Sequence, residues 1–160
     1  MLDCHIHIER GEYTTDWINQ FVQKAKGKGL DEIWLLEHWD GVDVDNVYRR
    51  YFETSIDFAN SGVYSGIAHP DCIKLFGHKP SFSLNGYYDR LASALAKNNL
   101  YAEQSSGVHR RCPETAELGM AAGLIKSLKA HSVKIQTASD AHCPEDVGMY
   151  IAELERILED

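Results

Sequence analysis

Hydrophobic and polar positions alternate along this chain in two rhythms. Short apolar runs predict strands at 2–8, 32–36, 64–68, 100–104 and 133–138. Helical spacing predicts helices at 15–26, 44–59, 84–97, 113–130 and 145–158. In the second of these, Val47, Tyr51, Ile56 and Phe58 form the apolar face. Gly29, Gly62 and Asn99 stand near helix ends, where a left-handed residue commonly stops a helix. Strands alternating with helices predict an α/β fold with a largely parallel sheet, open or curled into a barrel. The segment from His78 through Lys79, Pro80, Ser81 and Phe82 to Ser83 reads as a loop.

Composition narrows the picture. A chain of 160 residues fits one domain, 1–160, with a core large enough to do without disulfides. The 24 acidic residues outweigh 16 basic ones, a formal charge of −8. That balance argues against nucleic acid or an anionic membrane as partner. An acidic protein that handles an anionic substrate needs local positive charge, from a metal or a few arginines. Cys4, Cys72, Cys112 and Cys143 form no CxxC pair, so reduced thiols are expected, with Cys4, Cys72 and Cys143 as packing residues. With no signal peptide or membrane-length apolar run in view, the expectation is a soluble, cytoplasmic protein.

The chemistry gathers where the strands end. In parallel α/β sheets, ligands sit beyond the carboxyl ends of the strands. Here the first strand carries His5 and His7, and the second ends at Glu37 and His38. The third ends at His69-Pro70-Asp71, the fourth at Glu103 and Gln104, the fifth at Asp140 and His142. His5 and His7 alternate with Cys4, Ile6 and Ile8, so both imidazoles share one face. Asp140 and His142 repeat that spacing. Two such pairs facing one cavity suit zinc, iron or manganese. A cluster of such ions clamps phosphate and generates hydroxide at neutral pH.

Other histidines read differently. His131 closes a helix, where a cation suits the dipole. His78 and His109 read as ordinary surface residues. Arg110 and Arg111 follow a strand end and a glycine turn; they are either a solvated basic turn or a fork for phosphate oxygens.

The ordered pieces Asp3-Cys4-His5-Ile6-His7, Leu36-Glu37-His38, Ala68-His69-Pro70-Asp71, Glu103-Gln104-Ser105-Ser106-Gly107 and Ser139-Asp140-Ala141-His142 cover nearly the whole chain. In them the chain resembles the PHP (polymerase and histidinol phosphatase) domain family, most closely its histidinol-phosphatase branch, in a shortened form. The resemblance implies a distorted βα barrel with metals at the strand ends, hydrolysing phosphate esters, with L-histidinol phosphate as substrate. It implies two or three divalent ions (Zn, Fe or Mn). By position, His5, His7 and Asp140 bind one metal, His69 a second, and His38 and His142 serve the rest of the cluster. Arg110 or Arg111 then holds the substrate phosphate. The leaving group is protonated by bound water, Asp71 or a histidine.

The chain departs from the family pattern between residues 38 and 43, where about two βα units with two expected ligands are absent. The family's next early histidine is absent too, with Glu9 as a substitute. About five strands do not readily close such a barrel. An open, horseshoe-like sheet is therefore expected, or a homo-oligomer in which a neighbour covers the open edge. Two functions follow: a metal-dependent phosphomonoesterase, or a shortened, catalytically weak or inactive PHP domain serving as a metal-binding or structural module. A weaker third is the accessory PHP module of a DNA polymerase.

Overall fold

The computed structural model describes residues 2–7, 15–30, 32–36, 43–114 and 116–159, with the side chains of 2–7, 15, 32–36 and 76 left aside. The chain divides into two compact units, Met1–Val42 and Asp43–Asp160. Each is described by itself.

The first unit is a β-α-β segment: β1 (Leu2–His7), α1 (Thr15–Gly27) and β2 (Glu32–Leu36). The strands are parallel, pairing Leu2 with Glu32 and His7 with Leu36. The register slips between Asp3 and Ile6, the mark of a bulge or similar irregularity. Within α1, Trp17 and Phe21 sit one turn apart and meet edge to face at 5.2 Å. Gly29, at φ 70°, follows the helix end as expected.

The second unit holds α2 (Val44–Asn60), β3 (Gly66–Ile67), α3 (Asn85–Lys97), β4 (Tyr101–Ser105), α4 (Gly107–Arg111), α5 (Ala122–Ala130), β5 (Ile135–Ala138) and α6 (Ile151–Glu159). A 3₁₀ turn occupies Cys72–Phe76 and another Pro144–Asp146. The sheet runs β3-β4-β5, all parallel, with Ile67 beside Ala102 and Ser105 beside Ala138.

The helices build the core. Asp43 caps α2 by accepting from the Asn46 amide at 3.1 Å. Below that cap, Tyr48, Phe52, Ile56 and Ala59 recur at helical spacing and are buried. They face α3, which buries Leu91 and Leu95, and α3 in turn packs on α5 through Leu124 and Leu128. Leu154 of α6 is fully buried and its helix packs against β5. Each fully buried leucine of this kind is worth roughly 1.5–3 kcal/mol of transfer free energy.

Two expectations need correction. The helix predicted at 113–130 begins only at Ala122. Before it, Gly119 takes φ 74°, and the amides of Met120 and Ala121 are bound by side chains, Gln104 Oε1 at 2.6 Å and Asp71 Oδ2 at 2.8 Å. The helix predicted at 145–158 is broken into the Pro144–Asp146 turn and α6, because Gly148 and Tyr150 adopt φ 80° and 62°. Among the described residues the first unit holds a two-stranded sheet and the second an open three-stranded one. Their parallel pairing, with helices between the strands, is that of the α/β class.

Candidate active site

The β3-β4-β5 sheet brings three strand ends side by side. Alternation along β4 buries Ala102 and Gln104 and leaves Glu103 half-buried, on the opposite face. His69 follows β3 with φ 29°, and Asp140 follows β5 with φ 52°, both left-handed. Non-glycine residues in that region cluster at functional sites, because the surrounding structure must hold them there.

These three side chains sense one another. A hydrogen bond with the Cys72 thiol, together with the charges of Cys72, Glu103 and Asp140, outweighs burial and pushes the His69 imidazole up to about 9. Burial pushes the Glu103 carboxyl up, with Asp140 adding to it, while His69 opposes both through its charge and its backbone amide. Burial also raises the Cys72 thiol, but hydrogen bonds with His69 and Tyr51 prevail and hold it below its ordinary value. Tyr51 Oη lies 3.3 Å from Cys72 Sγ. His69 Nδ1 is buried without a hydrogen-bond partner. A buried nitrogen of this sort asks for a ligand or water.

The β5 end is tied down by α4. Arg110 Nη1 donates to Ser139 O at 2.6 Å and Nη2 to Asp140 O at 2.7 Å, while Asp146 Oδ2 lies 3.1 Å from Nη2. Arg111 is exposed, and its Nη2 lies 2.7 Å from His142 Nε2. His142 Nδ1 sits 2.8 Å from Asp140 O. Gly107 starts α4 directly under Asp140: a Cβ there would fall 1.9 Å from Asp140 Oδ2. Only glycine leaves room for that carboxylate.

Asp71 goes elsewhere. It is buried, and its Oδ2 accepts from Lys74 Nζ at 2.9 Å and from the Ala121 amide. Lys74 also donates to Gly119 O. The pair forms part of the wall of a cleft of about 380 Å³ that Tyr48, Tyr88 and Glu117 also line. Burial and the Asp71 charge raise the phenols of both tyrosines.

Of the remaining expected ligands, His5 and His7 have their backbone in β1, and their side chains fall outside the described part. Glu9 and His38 lie outside the described residues, as does Glu37. The histidines set aside hold the fold together: His109 Nδ1 meets Ala116 O at 2.8 Å, and His131 Nε2 meets Asp89 Oδ1 at 2.8 Å at the end of α5. Cys143, expected to pack, is exposed.

Glu103 is a strand-end acid by sequence but not one of the expected ligands, and neither Cys72 nor Asp146 is among the expected polar partners. For Glu103 the signal was present, since it alternates with the buried Ala102 and Gln104. Cys72 and Asp146 carried none.

Imidazole and carboxylate donors, with one buried nitrogen unpartnered, are chemically suited to a borderline divalent cation. Among the described residues, however, no three His, Cys, Asp or Glu side chains stand close enough to hold an ion by themselves. Also among them, no helix is long and apolar enough to cross a membrane. No family model matches the chain. Among curated proteins it is similar to a probable histidinol-phosphatase of Deinococcus radiodurans, 24% identical over 153 residues. The match covers 94% of this chain but 56% of that protein, so the chain spans little more than half the length of its relative. That distant similarity hints at a phosphoesterase and goes no further.

Proposed function

We propose that this chain is a metal-dependent phosphomonoesterase of the PHP type, acting on a small phosphorylated substrate, with L-histidinol phosphate as the compound to assay first. The observation that carries the reading is that His69 and Asp140, each two residues past β3 and β5, and Glu103, in the strand between them, lie close enough to act on one another's charge. The distant similarity to a probable histidinol-phosphatase supports it.

In this reading His69, Glu103 and Asp140 hold divalent cations, and His5, His7, Glu9, His38 and His142 are proposed as further ligands. An ion of Zn, Fe or Mn held there would supply Lewis-acid polarisation of a phosphoryl group and activation of water near neutral pH. The chain does the rest. Arg110 or Arg111 offers a guanidinium fork to the phosphate oxygens, which hold negative charge in the transition state. Asp71 is buried and paired with Lys74, so it serves the wall beside the site rather than the proton transfer.

The test is elemental analysis of chain purified without chelator or nickel resin, followed by phosphate release from L-histidinol phosphate. Bound zinc, iron or manganese with chelator-sensitive turnover is expected. Metal-free chain that neither binds these ions on addition nor releases phosphate would sink the reading.

A further inference from the structure

The cleft of about 380 Å³ beside Asp71 is walled by α2, the loop at 78–84, the start of α3 and the entry of α5. The loop is fastened to α2 at three points. Asp45 accepts from the Ser81 amide at 2.7 Å and from its hydroxyl at 2.5 Å. Tyr48 Oη donates to His78 O at 2.6 Å, and the Arg49 guanidinium lies 4.4 Å from the centre of the Phe82 ring. The cleft is therefore preformed, as small-molecule sites usually are, with Phe52, Ile73, Pro80, Phe82 and Leu84 as its apolar lining.

One buried polar group in it has no partner. Tyr88 is only 7% exposed, and its hydroxyl makes no hydrogen bond among the described residues. Burial raises this phenol, and the charges of Asp71 and Glu117 add to it, so the hydroxyl lies at the end of the ring that faces those acids. A buried hydroxyl in this position asks for a ligand or water. The entry of α5 comes close as well. A Cβ at Gly123 would stand 3.2 Å from the Tyr88 ring and 3.4 Å from Asn85 Oδ1, and no side chain caps that helix.

Charge says what kind of ligand fits. Two acids and two lysines line the cleft: Asp71, Glu117, Lys74 and Lys79. Lys74 uses its three donors on Asp71, Glu117 and Gly119 O. Glu117 is exposed and 3.5 Å from Lys74, so most of its accepting capacity is open. Lys79 has no ion pair among the described residues. The Tyr88 hydroxyl and the Asn85 carboxamide can each donate and accept.

We propose that this cleft binds a free amino acid with an apolar side chain, its ammonium toward Glu117, its carboxylate toward Lys79 and its side chain among Phe52, Pro80 and Phe82. A lining with equal numbers of either charge matches a ligand that carries both. A phosphate would bring its negative charge beside Asp71 and Glu117, so the cleft is no second seat for a phosphorylated substrate. The proposal is independent of the phosphoesterase reading and does not require bound metal.

The experiment titrates the full chain with L-phenylalanine and with L-leucine, following amide resonances of residues 79–88 and 117–123. At least one of the two should shift them saturably. Its analogues lacking the carboxylate or the amine (2-phenylethylamine and 3-phenylpropionate, or isoamylamine and 4-methylpentanoate) should bind more weakly. Tyr88→Phe should weaken binding roughly 3- to 10-fold, the worth of one hydrogen bond. Lys79→Met and Glu117→Gln, both at exposed positions, should weaken it by a similar factor. Because the hydroxyl has no partner in the free chain, Tyr88→Phe should melt no lower than the native chain. Absence of saturable shifts with both amino acids overturns the proposal. So does an analogue that binds as tightly as its amino acid, native affinity in Tyr88→Phe or Lys79→Met, or a lowered melting temperature in Tyr88→Phe.

Discussion

Gly107 shows how a single hydrogen can decide a site. The Asp140 carboxylate occupies the space that a side chain at residue 107 would take, 1.9 Å from the ideal Cβ. In Gly107→Ala either Asp140 or the start of α4 must move. Overpacking of this kind costs roughly 1–3 kcal/mol. We expect a lower melting temperature and weakened Mn²⁺ binding, measured by thermal unfolding and calorimetry; native values of both would show that Asp140 swings aside freely. The surroundings of Asp71 are equally local. Asp71 follows the histidine after β3, and the lysine three residues on pairs with it inside the wall.

At the scale of elements, that same pair is a joint. Lys74 in the turn after β3 reaches Asp71, Gly119 O and Glu117, while Asp71 takes the Ala121 amide at the start of α5. The joint therefore fastens the β3 end to the entry of α5. Lys74→Met leaves a carboxylate buried without its cation, a loss of about 3 kcal/mol. Urea unfolding should show it, and the added change Asp71→Asn should recover much of the loss, because it removes the orphaned charge. A double variant as unstable as the single would mean that the fault lies in packing and not in charge.

The helix faces were legible because their information is local. Alternation at three and four residues placed α2 at 44–59, against the observed Val44–Asn60, and α3 at 84–97, against Asn85–Lys97. The stretch before α5 was not legible. Its amides are taken by Gln104 and Asp71, 16 and 50 residues away. No window of neighbouring residues contains that competition.

At the scale of the whole molecule, the unit Asp43–Asp160 carries its own core, with Phe52, Leu91, Leu95, Leu124, Leu128 and Leu154 all fully buried. A fragment of residues 43–160 is therefore expected to unfold in one cooperative urea transition. A gradual loss of signal would show that its core depends on residues 1–42.

By itself the sequence determined the α/β class, the parallel strands and which strand ends bear imidazole and carboxylate side chains. Those follow from periodicity and from the rule that parallel strands deliver their last residues to one side. Tertiary structure alone decided which of those residues meet. It brought Glu103 to His69 and Asp140, turned Asp71 into a joint, and separated Arg110 from Arg111 by what each one touches. The physical reason is that a side chain's role depends on the partners that desolvate and orient it. Those partners come from strands and turns tens of residues apart.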